Sequence, residues 1–172
     1  FKKAYNDWWQ DLLPGYDDLP RIYVGNENEN PTKLYCHDWH TQGDSPWHQR
    51  HIRTGYLDNG YWAIHVDQPG TYAVKLRRWP EETHLALNAK AAIRPAKEGT
   101  SVSASKPGKS LPIKKARLKV QGTDSEIEVD PTQEYAEFKV NLTEGDADLQ
   151  TWFTLENEET LGAYFVSLEK ID

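Results

Sequence analysis

From Arg21 to the C-terminus, apolar residues recur at every second position, and this period constrains the fold more than any other feature. The clearest example is Glu134–Leu142, in which Ala136, Phe138 and Val140 alternate with polar or charged residues. An alternation of this kind predicts a β-strand that buries one of its two faces.

The same period predicts a series of short strands along the chain. We predict strands at Arg21–Gly25, Lys33–Trp39, Tyr61–Asp67, Thr71–Trp79, Lys114–Gln121, Glu134–Leu142, Leu149–Leu155 and Ala163–Leu168. Leu85–Ile93 fits a strand or a short helix, whereas Thr41–His51 and Gly99–Gly108 have the composition of loops. Many short strands separated by turn residues predict an all-β fold, an antiparallel β-sandwich of the jelly-roll type.

The first 20 residues have a different period. Phe1–Leu13 has apolar residues at helical spacing, and Pro14-Gly15 ends the pattern. We therefore divide the chain into an N-terminal helix and linker (1–20) and a β-sandwich domain (21–172). The apolar stripe of this helix consists of Phe1, Tyr5, Trp8, Trp9, Leu12 and Leu13. Such a stripe is expected to pack against this domain or against a partner.

Composition limits the classes of function. The 172 residues carry a net charge of −7, which argues against a nucleic-acid-binding module. No apolar run approaches the roughly 18 residues of a membrane span, so we expect no membrane partner. The single cysteine, Cys36, excludes an internal disulfide and is interpreted as a small buried residue.

Catalytic and metal-binding motifs are absent from the sequence. There is no G-x-S-x-G, Walker loop, H-E-x-x-H or C-x-x-C. Four histidines (His37, His40, His48 and His51) are close in sequence, but His37 and His40 would point to opposite faces of a regular strand. We expect no cofactor, no metal and no catalysis by this chain; a metal-dependent enzyme that uses the histidines is the weakest alternative.

Tryptophan and arginine residues that break the strand pattern point to a ligand. Trp79 and Trp152 share their strand faces with polar residues, and Trp39–Arg53 combines Trp, His, Gln and Arg. Indole rings pack on the C–H faces of sugars, and guanidinium groups bind anions in a bidentate manner. The candidate ligand-binding residues are Trp39, His40, Trp47, His48, Gln49, Arg53, Arg77, Trp79 and Trp152. The alternative is that the indoles are covered by other segments and that the arginines pair with the abundant acids.

Nine segments, in a fixed order over nearly the whole chain, carry a family resemblance. They are Ala4–Trp9 (AYNDWW), Arg21–Thr32 (RIYVGNENENPT), His37–His40 (HDWH), Pro46–Gln49 (PWHQ), Asn59–Val66 (NGYWAIHV), Gly70–Pro80 (GTYAVKLRRWP), Ala116–Val120 (ARLKV), Leu149–Phe153 (LQTWF) and Gly162–Val166 (GAYFV). Together they resemble the C-terminal region of bacterial formylglycine-dependent sulfatases of the arylsulfatase type. The sulfatase motif C/S-x-P-x-R is missing, so hydrolysis is not carried over.

The resemblance implies an all-β accessory domain of a larger sulfatase, in a secreted or periplasmic setting, with sulfated glycans as the substrate class. We therefore predict a non-catalytic domain that binds a sulfated or otherwise anionic polysaccharide. The alternative is a structural domain that braces a sulfatase catalytic domain and contributes a substrate subsite. In that case the N-terminal helix would dock on the catalytic domain.

Overall fold

The computed structural model describes residues 1–16 and 18–172, and this part of the chain is mostly β-structure. The helices are α1 (Lys2–Leu12) and α2 (Gln49–Thr54). The strands are β1 (Ile22–Val24), β2 (Thr32–Tyr35), β3 (Tyr61–Val66), β4 (Gly70–Arg77), β5 (Ile113–Val120), β6 (Thr123–Glu128), β7 (Ala136–Leu142), β8 (Gly145–Leu155), β9 (Thr160–Leu161) and β10 (Phe165–Lys170).

The strands form two sheets. The larger has the order β1-β3-β8-β5-β6 with β9 paired to β8, and the smaller has the order β2-β10-β4-β7. Every pair is antiparallel except β1 with β3, which is parallel. The expectation of purely antiparallel pairing is wrong there. The chain between β1 and β3 crosses to the other sheet through β2, which gives it the length that a parallel connection needs.

One hydrophobic core lies between the sheets. Strand β8 alternates buried residues such as Leu149 and Phe153 with partly exposed ones, and β7 does the same with Phe138 and Val140. Buried side chains from both sheets belong to a single cluster, in which Trp62 has no exposed surface, as expected from its strand face. Two sheets that share one core are compatible with a β-sandwich.

Three predicted elements need correction, and the sequence pattern misses strand β6. The strand predicted at Lys33–Trp39 ends at Tyr35, because Cys36–Asp38 turns into a short 3₁₀ helix. The loop predicted at Thr41–His51 contains the start of α2. The segment Leu85–Ile93 is neither strand nor helix. Strand β6 was not predicted, since its inward-facing residues are mostly polar and its burial is only partial.

Helix α1 is present as predicted, and none of its eleven residues is buried. Its aromatic rings contact one another, with Tyr5 and Trp8 centroids 5.8 Å apart and Trp8 and Trp9 centroids 6.4 Å apart. No helix among residues 1–16 and 18–172 combines the length and the apolar character needed to cross a bilayer.

Candidate functional site

A basic groove lies between α2 and the long connection from residue 88 to 110. We call this connection the basic loop because it contains five Lys or Arg residues and one acid, Glu98. The groove has a volume of about 670 Å³. Its lining consists of Gln49, Arg50, Arg53 and Thr54 from α2, and of Arg94 and residues 101–107 from the basic loop. A volume of this size is typical of small-molecule and cofactor sites.

Helix α2 is short, and its limits are set by its two ends. His48 precedes it in an extended conformation, and its Nδ1 accepts a hydrogen bond from the Arg50 backbone N–H at 3.0 Å. The helix ends at Gly55, whose φ of +69° favours glycine. A β-carbon at Gly55 would also lie 2.8 Å from the Leu111 side chain, so the close approach of Leu111 needs glycine as well.

Arg53 holds the basic loop against α2. Its guanidinium donates hydrogen bonds to the carbonyl oxygen of Lys106 from Nε at 3.0 Å and from Nη2 at 2.8 Å, and Nη2 also donates to the carbonyl of Ala92. The backbone adds a bond from the Lys109 N–H to the Arg53 carbonyl at 2.7 Å. Arg53 therefore positions the groove wall and contributes its charge to it.

Within the loop, the two sides of the tip are bonded to each other. The backbone N–H of Arg94 donates to Ser105 Oγ at 3.0 Å, and the Ser105 N–H donates to the Arg94 carbonyl at 2.9 Å. A further backbone bond joins Lys97 to Val102 at 3.1 Å. These hydrogen bonds fix the backbone conformation of the loop tip, from which the cationic side chains extend.

The cations of the groove have no acidic partner in the part of the chain that the structure describes. Arg50, Arg53, Arg94 and Lys106 form no salt bridge there, whereas cations on the strands do, as in the pairing of Arg117 with Asp124. The alternative that the loop arginines pair with nearby acids is therefore wrong for Arg50 and Arg53. Unpaired cations in a chain of net charge −7 create a local positive field that favours an anion.

A series of aromatic rings runs along α2, from Trp47 before the helix to Tyr56 beyond its end. The centroids are 5.1 Å apart for Trp47 and His48, 4.2 Å for His48 and His51, and 4.9 Å for His51 and Tyr56. Trp47 is 65% exposed, and none of Trp47, His48 and His51 is among the residues that line the groove. Burial, together with the neighbouring His48 and Arg50, lowers the pKa of His51.

Four of the residues predicted from sequence are brought together here. Trp47, His48, Gln49 and Arg53 lie in or immediately before α2, and of these Gln49 and Arg53 line the basic groove. Trp47 is the exposed aromatic ring of the group, and Gln49 is exposed as well. Their role in ligand binding stays a prediction.

Trp39 is not an exposed sugar platform, which corrects its predicted position. The 3₁₀ turn at Cys36–Asp38 carries it inward, where it is 6% exposed. Its ring meets Trp62 edge-on with centroids 5.6 Å apart and Tyr164 at 6.2 Å. An indole packed in this way has no free face for a pyranose.

Arg77 and Trp79 are also buried, at 5% exposure each, so the exposure predicted from their strand face is wrong. The ring of Tyr135 covers Arg77 at 4.5 Å, and Glu81 and Glu134 form ion pairs with its guanidinium at 3.3 and 3.4 Å. Trp79 lies beyond the end of β4, and the guanidinium of Arg78 stacks on its ring at 4.4 Å. The outer face of the smaller sheet is covered at this point, as the alternative interpretation held.

His40 and Trp152 belong to a different part of the surface. His40 stacks on Tyr61 with centroids 5.1 Å apart, and Trp152 points outward from β8 with partial exposure. Both residues face the solvent side of the larger sheet, and neither lines the basic groove.

The groove residues missed at the sequence level are Arg94, Lys106 and the serines between them. The sequence predicts a loop at Gly99–Gly108, which includes Lys106, and carries no prediction for Arg94. The signal that identifies them is the local charge of the basic loop, which opposes that of the chain. Among residues 1–16 and 18–172, no group of three or more His, Cys, Asp or Glu side chains has an arrangement that could hold a metal ion.

Comparisons with known proteins place the chain in no family. No family model matches the sequence, and no curated protein matches it. Among solved structures, a ruminal GH26 endo-β-1,4-mannanase is similar, with a TM-score of 0.41 and 13% identity. The match covers 83% of this chain but only 26% of the mannanase chain, so this protein spans about a quarter of that enzyme's length.

Proposed function

We propose that the chain is a non-catalytic carbohydrate-binding domain whose ligand is a sulfated or otherwise anionic polysaccharide. The observation that carries the proposal is the basic groove, where Arg50, Arg94 and Lys106 have no acidic partner among the described residues. The exposed ring of Trp47, two residues before Gln49 of the groove wall in the sequence, suits the C–H face of a sugar. The groove would hold the anionic groups of the polymer.

The cations of the groove divide into two kinds. The N–H groups of Arg53 donate hydrogen bonds to backbone carbonyls. Arg53 therefore contributes to ligand binding mainly through its charge and by holding the basic loop in position. Arg50 forms no side-chain hydrogen bond with the described residues, and Arg94 makes one long contact to the Ser103 carbonyl at 3.4 Å. Their guanidinium forks are therefore available for the bidentate binding of sulfate or carboxylate oxygens.

Binding can be tested by calorimetry or affinity electrophoresis with a sulfated galactan, a uronic acid polymer and a neutral galactan. We expect the first or second polymer to bind, and Arg94→Ala or Arg50→Ala to weaken binding by about tenfold, the value of one charge-assisted hydrogen bond. The matched control is Lys139→Ala. It removes an exposed cation of β7, in the smaller sheet, that forms no salt bridge with the described residues. Equal losses in the groove and control variants would indicate a nonspecific charge effect and reject the site.

The finer features predicted for this chain belong with this proposal. A jelly-roll connection of the two sheets, a secreted or periplasmic setting and membership of a sulfatase all stay predictions that derive from the strand pattern or from the sulfatase resemblance. The basic groove supports the anionic character of the ligand.

A second candidate function is to brace another domain, and the exposed face of α1 favours it. Tyr5, Trp8 and Tyr16 are 57%, 54% and 72% exposed, and their contacts are with other rings of the same segment. In the sulfatase interpretation this face packs on the catalytic domain. Titration of the chain with such a catalytic domain should give saturable binding that Trp8→Glu abolishes and that the groove variant Arg94→Ala leaves unchanged.

A further inference from the structure

A second cavity lies on the solvent side of the larger sheet, beyond the start of β3. Its volume is about 550 Å³, and its wall includes His40, Gln42, Asp58, Tyr61 and Gln150. No Lys or Arg is among the residues that line it. We propose that this cavity, with the neighbouring Trp152, binds a neutral sugar unit at a site that is separate from the basic groove.

The two rings of the wall are fixed in place by the backbone. His40 and Tyr61 form an isolated antiparallel bridge, with N–H to carbonyl distances of 2.8 and 3.1 Å. This bridge brings their side chains together as a stacked pair at 5.1 Å and 29°. A preformed aromatic surface binds a pyranose with little loss of side-chain entropy.

Trp152 extends the aromatic surface along β8. Gln150 and Trp152 are successive outward-facing residues of this strand, and Gln150 is the cross-strand partner of Tyr61. The guanidinium of Arg117 stacks on the indole at 4.7 Å, and Arg117 donates to both carboxylate oxygens of Asp124 at 2.6 and 2.5 Å. These contacts hold the indole in one orientation while part of its surface remains exposed.

The polar groups of the wall match hydroxyl groups better than anions. The side chains of His40, Gln42 and Gln150 form no hydrogen bond with the described residues, so their donors and acceptors remain available. A sugar hydroxyl can both donate and accept, whereas an anion would be repelled by the Asp58 carboxylate.

The experiment is calorimetry of the full chain with a panel of neutral oligosaccharides, including galacto-, gluco- and manno-configured tetramers. We expect at least one to bind saturably, and Gln150→Ala and Trp152→Ala to weaken it by about tenfold or more. Gln150→Ala removes only a partly exposed amide, so it keeps the test valid if Trp152→Ala fails to fold. Tyr35→Ala, which removes an exposed ring from β2 of the other sheet, should leave binding unchanged.

The groove variant Arg94→Ala separates this proposal from the first one. Neutral binding that persists in Arg94→Ala, while binding of the anionic polymer is lost, supports two independent sites. Absence of saturable binding by every neutral oligosaccharide would overturn the second site and leave the first untouched. An equal loss of neutral binding in Arg94→Ala and Gln150→Ala would overturn it as well, because it would indicate a single site.

Discussion

The guanidinium of Arg53 donates two hydrogen bonds to the carbonyl oxygen of Lys106, across 53 positions of the sequence. This contact joins helix α2 to the basic loop and thereby forms one side of the groove. The position of the loop therefore depends on a side chain of the helix as well as on its own backbone bonds.

Replacement of Arg53 by alanine is expected to free the basic loop. The carbonyl oxygens of Ala92 and Lys106 lose their donor, and we expect the free energy of unfolding to fall by about 1–3 kcal/mol. Trypsin should cut the variant faster after Lys97 and Lys109 of the basic loop, neither of which precedes a proline, than it cuts the wild type. Urea denaturation and timed proteolysis with mass spectrometry measure the two effects.

Arg50→Ala is the matched control for that prediction. Arg50 is exposed on the same helix, and its guanidinium forms no hydrogen bond with the described residues, so its loss should change stability by no more than about 0.5 kcal/mol. If the two variants were equally stable and equally resistant to trypsin, Arg53 would not be the anchor of the loop.

The β-sheet part of the fold was predictable because strand burial has a simple period. In β7 the alternation of Ala136, Phe138 and Val140 corresponds directly to the buried face. Strand β6 was not predicted because its partly buried positions are Thr123, Ser125 and Ile127. Two of these three residues are polar, so the sequence shows no alternation of apolar and polar residues there. A periodic signal fails where a face is only half covered.

The candidate site was predictable only in part, because exposure depends on contacts that are distant in sequence. In the sequence, Trp79 and Trp152 each share a predicted strand face with polar residues. Trp79 lies beyond the end of β4, where it joins the core cluster and stacks with Arg78, whereas Trp152 lies on a sheet face that remains partly open. The composition of the basic loop was visible in the sequence, but the contact from Arg53 that turns it into a groove wall was not.

Arg78 is expected to be a major contributor to stability although it is charged. It is fully buried and donates hydrogen bonds to the carbonyls of Ala89 at 3.0 Å and Lys109 at 2.6 Å, which are the two ends of the basic loop. Burial lowers its pKa to about 10, so it remains protonated at neutral pH. Arg78→Met keeps most of the side-chain volume but removes the donors.

We expect Arg78→Met to lower the free energy of unfolding by about 3 kcal/mol or more, since several buried carbonyls would lose their partners. The decrease can be measured by urea denaturation followed by tryptophan fluorescence. Lys139→Met, an exposed position on β7, controls for the loss of a charge as such. A variant that unfolds at the same urea concentration as the wild type would contradict a structural role for the Arg78 hydrogen bonds.

Cys36 is expected to be unreactive in the native protein. Its side chain is 2% exposed and contacts the carbonyl of Pro46 at 3.3 Å, and burial raises the pKa of its thiol to about 12. Since the thiolate is the reactive form, labelling by a thiol reagent at neutral pH should be slow in buffer and fast in denaturant. Rapid labelling of the native chain would mean that the turn at Cys36–Asp38 opens without global unfolding.

His51 is expected to make stability depend on pH below neutrality. Its native pKa lies below the ordinary value of 6.5, mainly because of burial and secondarily because of His48 and Arg50. Between the native pKa and 6.5 the unfolded chain therefore binds more protons than the folded chain, so stability increases with pH in this window. The stability contributed by the neutral ring is complete above pH 6.5 and is lost as the pH falls through the native pKa.

His51→Phe keeps a ring between His48 and Tyr56 but does not titrate, so its urea midpoint should fall less steeply from pH 7 to pH 5 than that of the wild type. Because burial is the main cause, high salt should reduce the difference only in part; a wild-type slope equal to that of His51→Phe would show that the ring is free to protonate in the native state.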